Sequence, residues 1–276
     1  MSQILTDLST PDLIPALQNN LWRYFTNYSR VPKGEFFSDS YLTRFFTGIS
    51  YPLLNGVFNA QLPLEKIDTI IEETLDYFRT KQVPMVWWVG TETQPSDLGK
   101  YLEAQGLSCV DKMPVMAMDL STLPQEQVLP QDLAMAQRPP LAIAQVQDST
   151  TLEHLAHIAG VSFEIPSAII TEFYELELSL GLKSKEYIRF IAYWQGSPVA
   201  TSALYLDEQV AGIYLVATVP EARGKGVATA LVSATLQHAR QLGYHIATLQ
   251  ASKMGVNVYR RLGFQEFYRV HLYAQG

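Results

Sequence analysis

The chain has 276 residues, 47% of them hydrophobic and 17% charged, a composition that suits a globular protein with a sizeable core and excludes a disordered one. Its formal net charge of −7, with no basic stripe, lacks the electrostatic footprint that phosphate-backbone binding needs, so no nucleic acid partner is expected. The single cysteine, Cys109, excludes an internal disulfide and a cysteine-based zinc site; without a basic leader or an apolar run of about 18 residues, a cytoplasmic chain with no membrane partner is expected.

From about Pro15 to Val31, Leu17, Leu21, Tyr24, Phe25 and Tyr28 recur at spacings of three and four and predict an amphipathic helix. Two β-like runs follow, Ser40–Gly48 and Leu54–Leu62, the second ended by Pro63. A helix over Leu64–Thr80 turns Ile67, Ile70, Ile71, Leu75 and Phe78 to a core, and Met85–Val89 reads as a strand buried on both faces. Within it Trp87 and Trp88 point to opposite sides and read as core packing, the alternative being the wall of a cleft. Ser96 caps a helix that stops at Gly106, and a strand through Val115–Leu120 closes this first lobe. Residues 121–140, with Pro124, Pro130, Pro139 and Pro140 and no sustained period, read as a linker between lobes 1–120 and 141–276.

The second lobe opens with a strand, Leu141–Val146, and two helices, Thr150–Phe163 and Ser167–Leu182, parted by Pro166. Strands Ile188–Trp194 and Val199–Leu206 flank a tight hairpin at Gly196-Ser197. Next come a strand ending at Val219, a helix from Gly224 to about Leu242 stopped by Gly243, the strand Ile246–Ser252, a short helix and a last strand.

One stretch organises this lobe, Tyr214-Leu-Val-Ala-Thr-Val-Pro-Glu-Ala-Arg-Gly-Lys-Gly-Val-Ala-Thr-Ala-Leu231. A glycine loop opening a helix leaves free backbone N–H groups and the positive end of the helix dipole to converge on one anion. Because Gly224-Lys-Gly226 is followed by Val227, Ala228 and Thr229, neither a P-loop nor a dinucleotide fingerprint is met. What the residues match is Arg/Gln-x-x-Gly-x-Gly/Ala, as Arg223-Gly-Lys-Gly-Val-Ala228, and downstream Tyr259 with Gly263-Phe264 matches Tyr-x-x-x-Gly-Phe. These motifs, with the element order over 141–276, resemble the GNAT superfamily of N-acetyltransferases.

The resemblance implies an α/β (α+β) fold class, two GNAT-like mixed-sheet lobes with flanking helices, and acetyl-CoA as co-substrate with no metal. It assigns the backbone of Val216, Ala217 and Thr218 to the pantetheine arm, and Arg223, Gly224, Lys225, Gly226, Val227, Ala228 and Thr229 to the pyrophosphate. Tyr259 becomes the general acid that reprotonates the leaving thiolate. No general base is legible: the strand before the loop carries no Asp or Glu, Glu164, Glu172 and Glu175 lie on the helical segment, and His154, His157 and His271 are no better placed. With Cys109 outside this lobe, direct transfer to a small-molecule amine or an amino acid is expected. A non-catalytic coenzyme A sensor and an oligomerising scaffold are the rivals, and a homo-oligomer stays open.

The two lobes also read as copies of one unit. Val57–Pro63 lines up with Tyr214–Pro220, and 43 residues separate the proline from the closing glycine in both, although the strand between needs a shift of about three residues. On that alignment Arg223, Gly224 and Gly226 meet Lys66, Ile67 and Thr69, with Asp68 inside the former loop, and Tyr259 meets Leu102. The first lobe is therefore expected to have lost the cofactor, leaving one coenzyme A per chain.

Overall fold

Seven helices and eleven strands make up the structure, a computed structural model that describes residues 3–124 and 141–275. Of the expected linker over 121–140, residues from 125 onward lie outside the described residues. In chain order the first half holds α1 (Leu13–Tyr28), β1 (Glu35–Ser38), β2 (Thr43–Phe46), β3 (Gly56–Phe58), α2 (Ile67–Lys81), β4 (Val86–Val89), α3 (Leu98–Ala104) and β5 (Leu107–Asp119). The second half holds β6 (Leu141–Gln145), α4 (Ser149–Ser162), α5 (Ser167–Ser179), β7 (Tyr187–Trp194), β8 (Ser197–Leu206), β9 (Ala211–Thr218), α6 (Val227–Gln241), β10 (Ile246–Gln250), α7 (Val256–Leu262) and β11 (Gln265–Gln275).

The chain divides into two compact units whose membership does not follow the expected split at the linker. One, the glycine-loop unit, comprises Met1–Asn20, Met116–Leu249 and Met254–Gln265; the other, the aromatic unit, comprises Leu21–Val115, Gln250–Lys253 and Glu266–Gly276. The two chain ends are thus exchanged relative to the sequence reading.

In the aromatic unit the strands run β1-β2-β3-β4-β11-β5, with β3 and β4 parallel and the β1–β2, β2–β3 and β4–β11 pairs antiparallel. The expected single run over Ser40–Gly48 is instead the second arm of a hairpin, because Asp39 Oδ1 accepts from the amides of Tyr41 and Leu42 and turns the chain there. Trp87 and Trp88 are both buried, as alternation on a two-sided strand requires. Trp87 joins Ile71, Leu75, Phe78, Leu98 and Leu102. Trp88 lies 4.9 Å from Phe25 and 6.1 Å, edge on, from Trp22, which stacks on Phe58 at 4.5 Å. Their role is packing.

In the glycine-loop unit the order is β5-β10-β9-β8-β7-β6, β5 taking part from Met116 on; β10 and β9 are parallel, and β9–β8, β8–β7 and β7–β6 antiparallel. The tight hairpin lies at Gln195-Gly196, one residue earlier than expected, both residues having positive φ (53° and 81°). Helix α4 starts in a capping box between Asp148 and Thr151. Helix α5 is held to β7 by a buried ion pair: Arg189, 1% exposed, donates to the Glu177 carboxylate (3.0 Å), to the Glu177 carbonyl (2.7 Å) and to the Gly181 carbonyl.

The repeat read from the sequence is visible in the elements. Helices α2 and α6 each have 15 residues, α3 and α7 each have 7, and both short helices run into a left-handed glycine, Gly106 (φ 88°) or Gly263 (φ 105°).

Candidate active site

Strand β9 is where the glycine-loop unit departs from regular pairing. Its partner β8 follows it from Leu206↔Ala211 to Ala200↔Thr218, but the register shifts between Thr201 and Ala203. The extra residue is absorbed at Leu215, whose φ is 48°. Holding a leucine there costs about 1–2 kcal/mol, so the surroundings must over-determine it. Thr201, buried, does part of this by donating from Oγ1 to the Leu215 carbonyl at 2.7 Å. On the other edge, pairing with β10 is two residues long, Ala211↔Ala247 and Gly212↔Thr248. From Ile213 to Thr218 that edge has no strand partner among the described residues. Val216, Ala217 and Thr218 thus present backbone groups to an extended ligand that can add as a strand.

At the end of β9 a single 3₁₀ turn, Pro220–Ala222, leads to the loop. Gly224 and Gly226 have φ of 74° and 78°, and an added Cβ at either would meet nothing within 4 Å. These left-handed glycines move the start of α6 to Val227, three residues later than expected. The first bond reaching into the helix from the loop is Ala230 N–H to the Gly226 carbonyl at 3.0 Å. Gly226, the N-cap, offers no side chain, and the amides of Val227, Ala228 and Thr229 donate to no acceptor among the described residues. Val227 is itself buried, so its side chain anchors the helix while its amide stays available. Arg223, exposed, donates from Nε to the Thr218 carbonyl at 3.0 Å, tying loop to strand, and Lys225 is exposed. Open space, free amides and two cations fit the pyrophosphate of coenzyme A.

Tyr259 sits in α7, which packs against α6. It is 8% exposed, meets Phe264 edge on at 5.9 Å, and its hydroxyl has no partner among the described residues. Burial pushes its pKa well above the ordinary tyrosine value, so the phenol keeps its proton at any working pH. That is the state a proton donor needs.

Other candidates are not drawn in. Glu164, Glu172 and Glu175 are exposed on α4–α5 and the turn between them. His154 Nδ1 lies 3.4 Å from the Tyr193 hydroxyl, His157 is exposed, and no group of His, Cys, Asp or Glu that can hold a metal occurs among the described residues. His271 lies on β11 in the aromatic unit, its pKa lowered by burial and by Lys112 and Arg269. Cys109, half-buried on β5, donates weakly to the Asp111 carbonyl. Unread in the sequence were Asn20, Thr201 and the strain at Leu215; Gly212, an isolated glycine in a strand, was the one local signal of close backbone approach.

The aromatic unit shows the same arrangement closed. Its 3₁₀ turn, Leu64–Lys66, runs directly into α2 with no glycine loop, which locates the three-residue shift seen in the sequence alignment. Ile67 is buried and Leu102, opposite Tyr259 in the repeat, is core. Asn59, with φ of 54°, is a left-handed residue one position past the one that aligns with Leu215. Past it, however, the strand edge is taken by the chain itself: Gln94 N–H donates to Ala60 (2.9 Å), Leu62 N–H donates to Gln94 (2.8 Å), and Gln61 bridges to Gln94. A ligand adding as a strand would have to displace that segment.

Residues 152–264 match the family model described as the Acetyltransferase (GNAT) family. No curated protein matches the chain. Among solved structures, a GCN5-related N-acetyltransferase from Kribbella flavida is similar over 94% of this chain and 95% of its own, with 17% identity and a TM-score of 0.69. A tandem GNAT protein from the clavulanic acid biosynthesis pathway is similar over 94% and 96%, with 11% identity and a TM-score of 0.57. A functionally unknown conserved protein from Staphylococcus epidermidis is similar over 90% and 96%, with 12% identity and a TM-score of 0.65. At such identities the likeness is one of fold.

Proposed function

We propose that this chain, whose residues 152–264 are a GNAT acetyltransferase domain, moves an acetyl group from acetyl-CoA directly to the amine of a small molecule or amino acid. One observation carries the reading: a strand edge left open after the Leu215 bulge leads, within one unit, into a left-handed glycine loop with unsatisfied helix amides. Acetyl-CoA, when bound, supplies an activated thioester. The loop amides and the Arg223 and Lys225 cations hold its phosphates, and the backbone from Val216 to Thr218 orients its arm. An N–H on that edge steadies charge on the acyl oxygen, and the Tyr259 hydroxyl gives its proton to the departing sulfur.

An amine acceptor is supported by charge. From Leu141 to Leu182 the chain has six carboxylates and no Lys or Arg, and Glu164, Glu172 and Glu175 among them are exposed. Glu177 is already paired with Arg189, but a cation is drawn to the exposed carboxylates. Deprotonation then falls to solvent or to one of these carboxylates.

The test is thiol release from acetyl-CoA across a panel of amines and amino acids, with Gly226→Glu as the control that blocks the phosphate site. Release driven by a particular amine and lost in the control supports the enzyme reading. Binding without turnover on a broad panel replaces it with the sensor reading, which the absence of a carboxylate on β9 favours.

A further inference from the structure

The glycine-loop unit includes Met1–Asn20, residues outside the segment that matches the family model. We infer that this N-terminal segment, through Asn20, is a positioning element for the β9 bulge, so that the acetyl-transfer site is incomplete without it.

Asn20 is fully buried and spends its amide on the strand that carries the bulge, on the turn feeding it and on the end of β8. Its Oδ1 accepts from the Tyr214 hydroxyl at 2.7 Å, and its Nδ2 donates to the carbonyls of Val210 (3.2 Å) and Tyr205 (3.4 Å). Tyr214 immediately precedes Leu215, the left-handed residue, and Val216 immediately follows it. The approach is so close that a Cβ on Gly212 would fall 2.0 Å from Asn20 Oδ1 and 2.4 Å from the Tyr214 ring. A second tie comes from the same segment, where Leu5 N–H donates to the Gln209 carbonyl at 3.0 Å.

A strained residue keeps its conformation only where its neighbours leave no alternative. At Leu215 the β8 side supplies Thr201 Oγ1 on the carbonyl. On the β10 side, no strand pair past Gly212 occurs among the described residues. Asn20 therefore fixes β9 on the N-terminal side of the bulge, and with it the direction of the Val216–Thr218 edge. Nothing in the contact requires an amide for packing alone; an aliphatic residue fills such a position without three polar partners to satisfy.

The experiment uses the full chain with Tyr214→Phe, which removes one hydroxyl and keeps the ring, and Asn20→Ala. Tyr187→Phe is the control, removing a buried hydroxyl of the same unit that donates to Glu177 and is remote in sequence from the bulge. Hydrogen exchange of the free protein is read across 214–219 and across 224–229. Tyr214→Phe is expected to speed exchange about fivefold or more in the first stretch and leave the second unchanged. Acetyl-CoA affinity is expected to stay within about threefold, because the phosphate loop is untouched, while kcat falls about tenfold to a hundredfold. The kcat arm rests on the proposed function; the exchange arm does not, so a wild type without turnover overturns that function alone. Unchanged exchange at 214–219 in Tyr214→Phe, or an equal increase there in Tyr187→Phe, overturns the positioning role. Should Asn20→Ala not fold, Tyr214→Phe alone decides.

Discussion

Replacing Gly226 by alanine separates the two consequences of a left-handed glycine. At φ 78° an L-residue is strained, while nothing lies within 4 Å of the added Cβ, so the local cost is conformational only, about 1–2 kcal/mol. For a domain of this size that lowers Tm by about 2–8 °C. On the proposed reading the phosphate seats at this loop, and the methyl adds bulk at the residue that caps the free α6 amides. Holding a phosphate off one charge-assisted bond costs about 1.5–3 kcal/mol, or about 10- to 150-fold in affinity. Gly243→Ala is the matched control: φ is 92°, its Cβ also meets nothing within 4 Å, and it follows the other end of α6. Calorimetry with acetyl-CoA and thermal unfolding on both variants should show the same loss of Tm and a loss of affinity only for Gly226→Ala. If Gly226→Ala binds within about twofold of wild type, or if Gly243→Ala binds equally poorly, the anion-cradle reasoning is refuted.

Titration calorimetry of the wild type should give one acetyl-CoA per chain, since Gln94 already bonds Ala60 and Leu62 in the aromatic unit; two sites would show that this segment yields to ligand. Tyr259→Phe should keep fold and acetyl-CoA affinity and lower kcat about a hundredfold or more, and unchanged turnover would remove the residue from the chemistry. Glu177→Ala leaves the Arg189 guanidinium buried without its carboxylate and should cost about 3–5 kcal/mol in denaturant unfolding; a loss below about 1 kcal/mol would mean that water reaches the arginine. Burial raises the pKa of Tyr259, Tyr268, Tyr244 and Tyr273, so the folded chain keeps protons that the unfolded chain releases above pH ~10. Stability is then fully present below that pH and falls above it, by up to about 1.4 kcal/mol per pH unit for each such group; a melting temperature that stays flat to pH ~11 would contradict this burial.

The glycine-loop half of the candidate site was legible because its constraints are local. A helix start stripped to Arg223-Gly-Lys-Gly226 shows itself in consecutive residues, since only glycine takes positive φ without strain. For the same reason the α1 stripe of Leu17, Leu21, Tyr24, Phe25 and Tyr28, the two-sided burial of Trp87-Trp88 and the left-handed stop at Gly106 could all be read from neighbouring residues. The repeat was legible at its ends, where proline and glycine punctuate both copies, and blurred where one copy lacks the loop.

Periodicity carries no information about which distant residue meets which, and there the tertiary structure decided. Asn20 and Tyr214 are 194 positions apart, so their bond, and the need for glycine at 212, exist only once Asn20 reaches β9. Leu215 gives no local sign of its left-handed backbone, because leucine takes that conformation only when partners on neighbouring strands enforce it. The carboxylates read as candidate bases proved exposed, while Glu177, on the same helix as Glu172 and Glu175, is buried against Arg189 of β7. Residue type and helical spacing set which side chains can carry chemistry; pairing across the sheet set where the open strand edge and the closed one lie.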